Sequence, residues 1–135
     1  MENKGNPTKP KLKTENKENV LKNKSYDFAI RVVKAYRHIA SETKEYVLSK
    51  QLLRAGTSIG ANVAEANQAQ SKPDFVSKLS ISLKEAVETE YRLNLLCDTG
   101  FLTKAQSTSL IGDCSELKAL LIASIKSSKR NINRG

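Results

Sequence analysis

The sequence has no tryptophan, one histidine, two cysteines and three prolines, and aromatic residues make up 5% of it. No apolar run approaches the roughly 18–20 residues that a membrane-spanning helix needs, and the polar N-terminus has nothing resembling a signal-peptide core. The expected compartment is therefore the cytoplasm. With His38 alone, a His-based acid–base pair or a nitrogen-rich metal cluster has no second imidazole, and His38 reads as a surface or interface residue. Cys97 and Cys114 flank Gly100 unequally. In an antiparallel hairpin turning there they would be offset by about 10 Å along the axis, beyond the ~7 Å between Cα atoms that a disulfide spans. They read as reduced core thiols. Runs of Val, Ile and Thr are almost absent, which argues against sheet and for an all-helical class.

What is present fits a single folded domain: 135 residues, 39% of them hydrophobic. The formal net charge of +9 is concentrated at the ends. Residues 1–24 hold seven Lys against three Glu, residues 126–135 hold four cations and no acid, and residues 25–125 hold twelve cations against eleven acids. Such ends suit flexible, salt-sensitive attraction to polyanions better than a folded basic groove. Residues 1–24 lack apolar periodicity, contain Pro7 and Pro10, and read as a disordered basic tail.

Four helices follow from the patterning. The first is expected over 25–41, with Ser25 as N-cap and Asp27 in its first turn. It carries two apolar stripes, Tyr26, Ala29, Ile30, Val33, Tyr36 and Ala40 on one side and Phe28, Val32, Ala35 and Ile39 on the other. Both stripes call for burial, against a partner helix or another subunit. The second is expected over 45–69, with an apolar stripe of Leu48, Leu52, Ala55, Ile59, Val63 and Ala66. Gly56, Gly60 and Ala64, four apart on another side, let a neighbouring backbone come close. The third opens at Ser71-Lys72-Pro73-Asp74, a cap followed by a first-turn proline and an acid, and stops before Gly100. The fourth opens with the capping box Thr103-x-x-Gln106 and is expected to fray beyond Lys126. Short polar links between these helices describe an all-α, antiparallel up-down-up-down four-helix bundle over 25–128, with a flexible basic C-terminus at 129–135.

Little here could carry catalysis, and no catalytic residue, cofactor or metal site is expected. Glu85, Glu88 and Glu90 suggest a carboxylate-bridged metal bundle, but the chain has no E-x-x-H to complete one. These acids suit pairing with Arg54 or Arg92 better. The constellation with most specificity is the polar stripe beside the apolar face of the second helix: Gln51, Arg54, Ser58, Asn62 and Glu65, with Glu85 on the following helix. It reads as a buried hydrogen-bond network that fixes helix register or a subunit interface, in preference to direct ligand contact. Arg31, Lys34 and Arg37, together with Lys126, Lys129 and Arg130, are the candidate nucleic-acid contacts, although such rows are usually the wet side of a helix.

The order Gln51-Leu52-x-Arg54-Ala55-x-x-Ser58-Ile59-x-x-Asn62-Val63-Ala64-Glu65, then Phe75 and Leu79, then Ser82-Leu83-x-Glu85, resembles the four-helix-bundle proteins encoded in intervening sequences of bacterial 23S ribosomal RNA genes. That family extends to the accessory variability proteins of diversity-generating retroelements. The likeness covers roughly residues 25–128. Ala66 stands where members often have Gly, the first helix lacks their common Trp, and Ser80-Ile81-Ser82 replaces a more Gly-rich run. The resemblance implies a cytoplasmic bundle that forms a homo-oligomer, a pentameric barrel in the retroelement relatives, which bind nucleic acid and a reverse transcriptase. The expectation is a non-enzymatic scaffold that assembles with itself and serves as a nucleic-acid-binding or ribonucleoprotein accessory protein, with RNA or DNA and a reverse transcriptase or other ribonucleoprotein component as candidate partners. The alternative is a protein–protein interaction module with no nucleic-acid role.

Overall fold

The stripes expected from periodicity converge on one core in the computed structural model, which describes the backbone of residues 13–134 and the side chains of residues 20–133. Four antiparallel helices form the bundle: α1 (Lys13–Thr43), α2 (Val47–Ala66), α3 (Lys72–Asp98) and α4 (Lys104–Arg134). No strand occurs among the described residues. Phe28, Val32 and Ile39 of α1 meet Leu52, Ile59 and Val63 of α2, Leu79, Leu93 and Leu96 of α3, and Leu117 and Leu121 of α4, all essentially inaccessible to solvent. On α3 the stripe is completed by Ala86, Ser82 and Thr89, while Val87 faces outward.

Of the two apolar stripes on α1, the bundle buries one. Phe28, Val32 and Ile39 are inside, whereas Tyr26 is 66% exposed and Ile30 40% exposed. The small-residue face of α2 is occupied by α1 itself. A Cβ added at Gly56 would lie 2.7 Å from both Val32 methyls, and one at Gly60 would lie 3.2 Å from the Ser25 carbonyl oxygen. Close approach of these two helices therefore requires the glycines, despite their cost of about 1 kcal/mol each in helix propensity. Ala64, the third member of that face, is exposed.

The turns are stopped by local chemistry. Lys44 adopts a left-handed φ of 59° after α1. Glu45 lies before α2 rather than inside it, and its carboxylate accepts from the amides of Val47 (3.1 Å), Leu48 (3.0 Å) and Ser49 (2.8 Å), groups that the first turn of a helix leaves unpaired. At α3 the Asp74 amide donates to Ser71 Oγ at 3.2 Å, and Gly100 takes φ 89° just past the helix. Thr103 and Gln106 exchange both bonds of the capping box, at 2.9 and 3.1 Å. α2 ends at Ala66, short of the expected 69, where Asn67–Gln70 form a turn.

The outer helices differ most from expectation. α1 starts at Lys13, so residues 13–24 of the expected tail are helical; residues 1–12 lie outside the described residues. Leu21 explains the extension. It is buried and stands in register with Ser25, Phe28 and Val32, prolonging the inner stripe by a full turn. Ser25 is accordingly no cap: it is buried in mid-helix and its hydroxyl donates to the Lys22 carbonyl at 3.1 Å. Likewise α4 continues through Arg134 because Ser128 follows Leu121 and Ile125 into the interior. Gly135 lies outside the described residues. α1 has 31 residues against 20 in α2. At 1.5 Å per residue, α1 thus runs about 16 Å past the end of α2.

Candidate functional site

Two regions hold the residues singled out by sequence, and they differ in construction. The first is the polar stripe of α2. Arg54 donates to Glu85 through Nη2 (3.2 Å) and Nη1 (3.4 Å), and to Glu88 at 2.7 Å. Its side chain is 57% exposed, while that of Glu85 is 14% exposed. Hydrogen bonding to Glu85, then the charge of that carboxylate, raises the already high pKa of the guanidinium. Ser58 and Asn62 turn back on their own helix, to the carbonyls of Arg54 (2.6 Å) and Ser58 (2.9 Å). Glu65 pairs with Lys78 of α3 at 3.6 Å, and Gln51 is exposed. The expected single buried network is thus three separate pieces along the α2–α3 edge. Of the remaining acids, Glu90 pairs with Lys118 of α4, and Arg92 lies over the Tyr91 ring at 5.3 Å.

The buried polar links between helices come from residues outside the expected polar network. Ser82 Oγ donates to the Ile59 carbonyl at 2.8 Å, Ser107 Oγ to the Leu93 carbonyl at 3.3 Å, and Cys114 Sγ to the Ala86 carbonyl at 3.2 Å. Each small side chain sits at a core position of its stripe, which was the available signal. Burial pushes the Cys114 thiol up to about 12, and both cysteines are free. Among the described residues no group of three or more His, Cys, Asp or Glu could hold a metal ion, and no helix is long and apolar enough to cross a membrane.

The second region is the seam between α1 and α4 and the end of the bundle to which it leads. This seam is the loosest of the four and is held by ion pairs. Arg31 donates to Asp113 at 2.6 Å and to Ser109 Oγ at 2.9 Å, and Lys24 pairs with Glu116 at 3.1 Å. Arg31, one of the candidate nucleic-acid contacts, is a strut between helices, whereas Lys34 and Arg37 are exposed. Below these pairs, where α1 and α4 flank the α2–α3 turn, a groove of about 740 Å³ opens. Leu21, Phe75 and Leu120 form its apolar surface and Asn67, Gln70 and Asn131 contribute carboxamides. Lys72 lines it, and Lys126, Lys129 and Arg130 are exposed on the last turns of α4, as Lys22 is on α1, outside its lining.

A family model described as the 23S rRNA-intervening sequence protein matches residues 17–123. The chain belongs to that family. A crystal structure of a protein of unknown function from the S23 ribosomal protein family of Bacteroides thetaiotaomicron is similar to it, with 54% identity over 78% of this chain and 98% of the other, and a TM-score of 0.78. No curated protein matches. For this 23S rRNA-intervening sequence protein, the family match begins before Leu21 and Ser25, consistent with α1 reaching beyond the expected start. It ends before Lys126, so the cations at the end of α4 lie outside the matched span.

Proposed function

We propose that this 23S rRNA-intervening sequence protein is a non-enzymatic helical scaffold that assembles with itself and binds nucleic acid at the end of the bundle where α1 begins and α4 finishes. One observation carries the reading: Lys22, Lys72, Lys126, Lys129 and Arg130 are exposed on helix ends that meet around one groove. Helical turns hold these cations at fixed positions around one end of the bundle instead of on two independent tails. Lys34 and Arg37, farther along α1, extend the basic surface. Self-assembly is supported by the outer stripe of α1, where Tyr26 and Ile30 have no partner within the chain among the described residues that buries them. The glycines of α2 give it no support, because α1 of the same chain packs against Gly56 and Gly60.

Titrating labelled RNA and DNA duplexes at several salt concentrations tests the proposal. The logarithm of the affinity should fall linearly with that of salt, with a slope of about −0.9 per neutralised phosphate on duplex DNA. Replacing Lys126, Lys129 and Arg130 together by Ala should flatten that slope by two to three phosphates' worth; no binding at low salt overturns the reading. Light scattering tests assembly, and a monomer removes that part.

The second reading, a protein-interaction module, draws on Ile81, Val87 and Tyr91, which are all exposed along α3. It expects a protein such as a reverse transcriptase or other ribonucleoprotein component to co-purify while nucleic acid does not.

A further inference from the structure

The groove between the overhanging ends of α1 and α4 has a composition that phosphate binding alone does not call for. Leu21, Phe75 and Leu120 offer an apolar surface, and Phe75 is half-buried there. The carboxamides of Asn67, Gln70 and Asn131 stand on exposed positions around it, and among the described residues Lys72 is the one charged residue in the lining. Lys22, Lys126, Lys129 and Arg130 are exposed on the two helices that form its sides. An amide supplies both a donor and an acceptor, as the edge of a nucleobase does, and an aromatic ring beside an apolar wall suits the face of a base. A duplex keeps its bases stacked and shows phosphates outward, so it would meet the cations and leave the groove empty. The volume of about 740 Å³ lies within the range of roughly 300–1,000 Å³ usual for organic ligands, enough for a nucleotide or two.

We propose that this groove takes unpaired bases of a single-stranded nucleic acid, which stack against Phe75 and meet the carboxamides while Lys72 in the lining meets an adjoining phosphate. The inference rests on the nucleic-acid reading above and adds the form of the strand.

The full chain is titrated with labelled octamers of single-stranded RNA, single-stranded DNA and a duplex of the same length. Ala123→Trp and Ser127→Trp, at exposed and half-buried positions lining the groove, fill it without touching the core. Wild-type protein is expected to bind a single strand more tightly than the duplex although the duplex carries twice the phosphates, and binding of either RNA or DNA supports the proposal. Each Trp variant should lose about tenfold in single-strand affinity, the loss of roughly one stacked base, while its duplex affinity and melting temperature stay unchanged. Gln70→Ala combined with Asn131→Ala, both exposed, should narrow the differences in affinity among A, C and U octamers and serves as a second readout if a Trp variant melts early. Equal affinities for strand and duplex, with no effect of filling the groove, overturn the inference and leave the basic patch standing. No binding of any octamer removes the patch reading and this one with it.

Discussion

The two ends of the bundle are built differently. At one end, α1 turns into α2 and α3 into α4 through short links whose free amides and carbonyls are satisfied locally: three α2 amides by Glu45, the start of α4 by the Thr103–Gln106 exchange, the end of α3 by Gly100. Leu96 is fully buried there. At the other end only one turn, α2 to α3, closes the bundle, and the first and last helices run on past α2 to flank a groove. Hence the first end is closed by local hydrogen bonds, while the second keeps an open groove.

Truncation in the core should separate the ends most strongly. Leu96→Ala leaves a sealed void and should cost about 2–5 kcal/mol. Leu21→Ala, beside the groove, lets water or neighbours fill the space and should cost less, nearer the ~1.5–3 kcal/mol of the transfer alone. Equal losses in urea unfolding would mean that the second end is as tightly packed as the first. Next comes Gly56→Ala. The new methyl meets Val32 at 2.7 Å inside the core, and a strain of about 1–3 kcal/mol outweighs the ~1 kcal/mol gained in helix propensity, for a net loss in chemical melts. Glu45→Ala removes one carboxylate that serves three amides and should cost about 1–2 kcal/mol, at the upper end for a helix cap. Arg54→Ala should be the mildest, within ~1 kcal/mol, because the guanidinium it removes is more than half exposed to water.

The two thiols extend the contrast between exposed and sealed positions. With its pKa pushed up to about 12, Cys114 holds almost no thiolate at pH 8, and a disulfide reagent should label the half-buried Cys97 first and Cys114 only on unfolding. Because the folded value lies above the ordinary 9.0, the stabilisation it represents is complete below pH 9 and is lost as pH climbs towards 12. Cys114→Ala should remove that part of the alkaline loss of stability, as read from melts across this window.

Caps and turns were legible because they depend on residues a few positions apart: Ser71 with Asp74, Thr103 with Gln106, Gly100 after Asp98. The inner stripes were legible for the same reason. The extension of α1 was harder to see, since a lone Leu21 among Lys, Asn and Glu makes little periodicity until Phe28 and Val32 show what it is in register with. Arg54 was read as buried because its stripe adjoins the apolar one, yet a long side chain at the edge of a helix contact keeps its head in water. Among the ion-paired residues of that stripe, Glu85 is the one the fold shields most.

By itself the order of residues determined the class, both ends of α3, the start of α4 and which leucines could share a face, since each follows from spacing within a turn or two of helix. Only the tertiary structure decided which of the two stripes on α1 turns inward, that the glycines of α2 serve α1, that Arg31 braces α4, and that Leu21, Phe75 and Asn131 line one groove. Those outcomes depend on how helices far apart in the chain rotate and slide against one another, and that is set by the total fit of the core rather than by any local pattern.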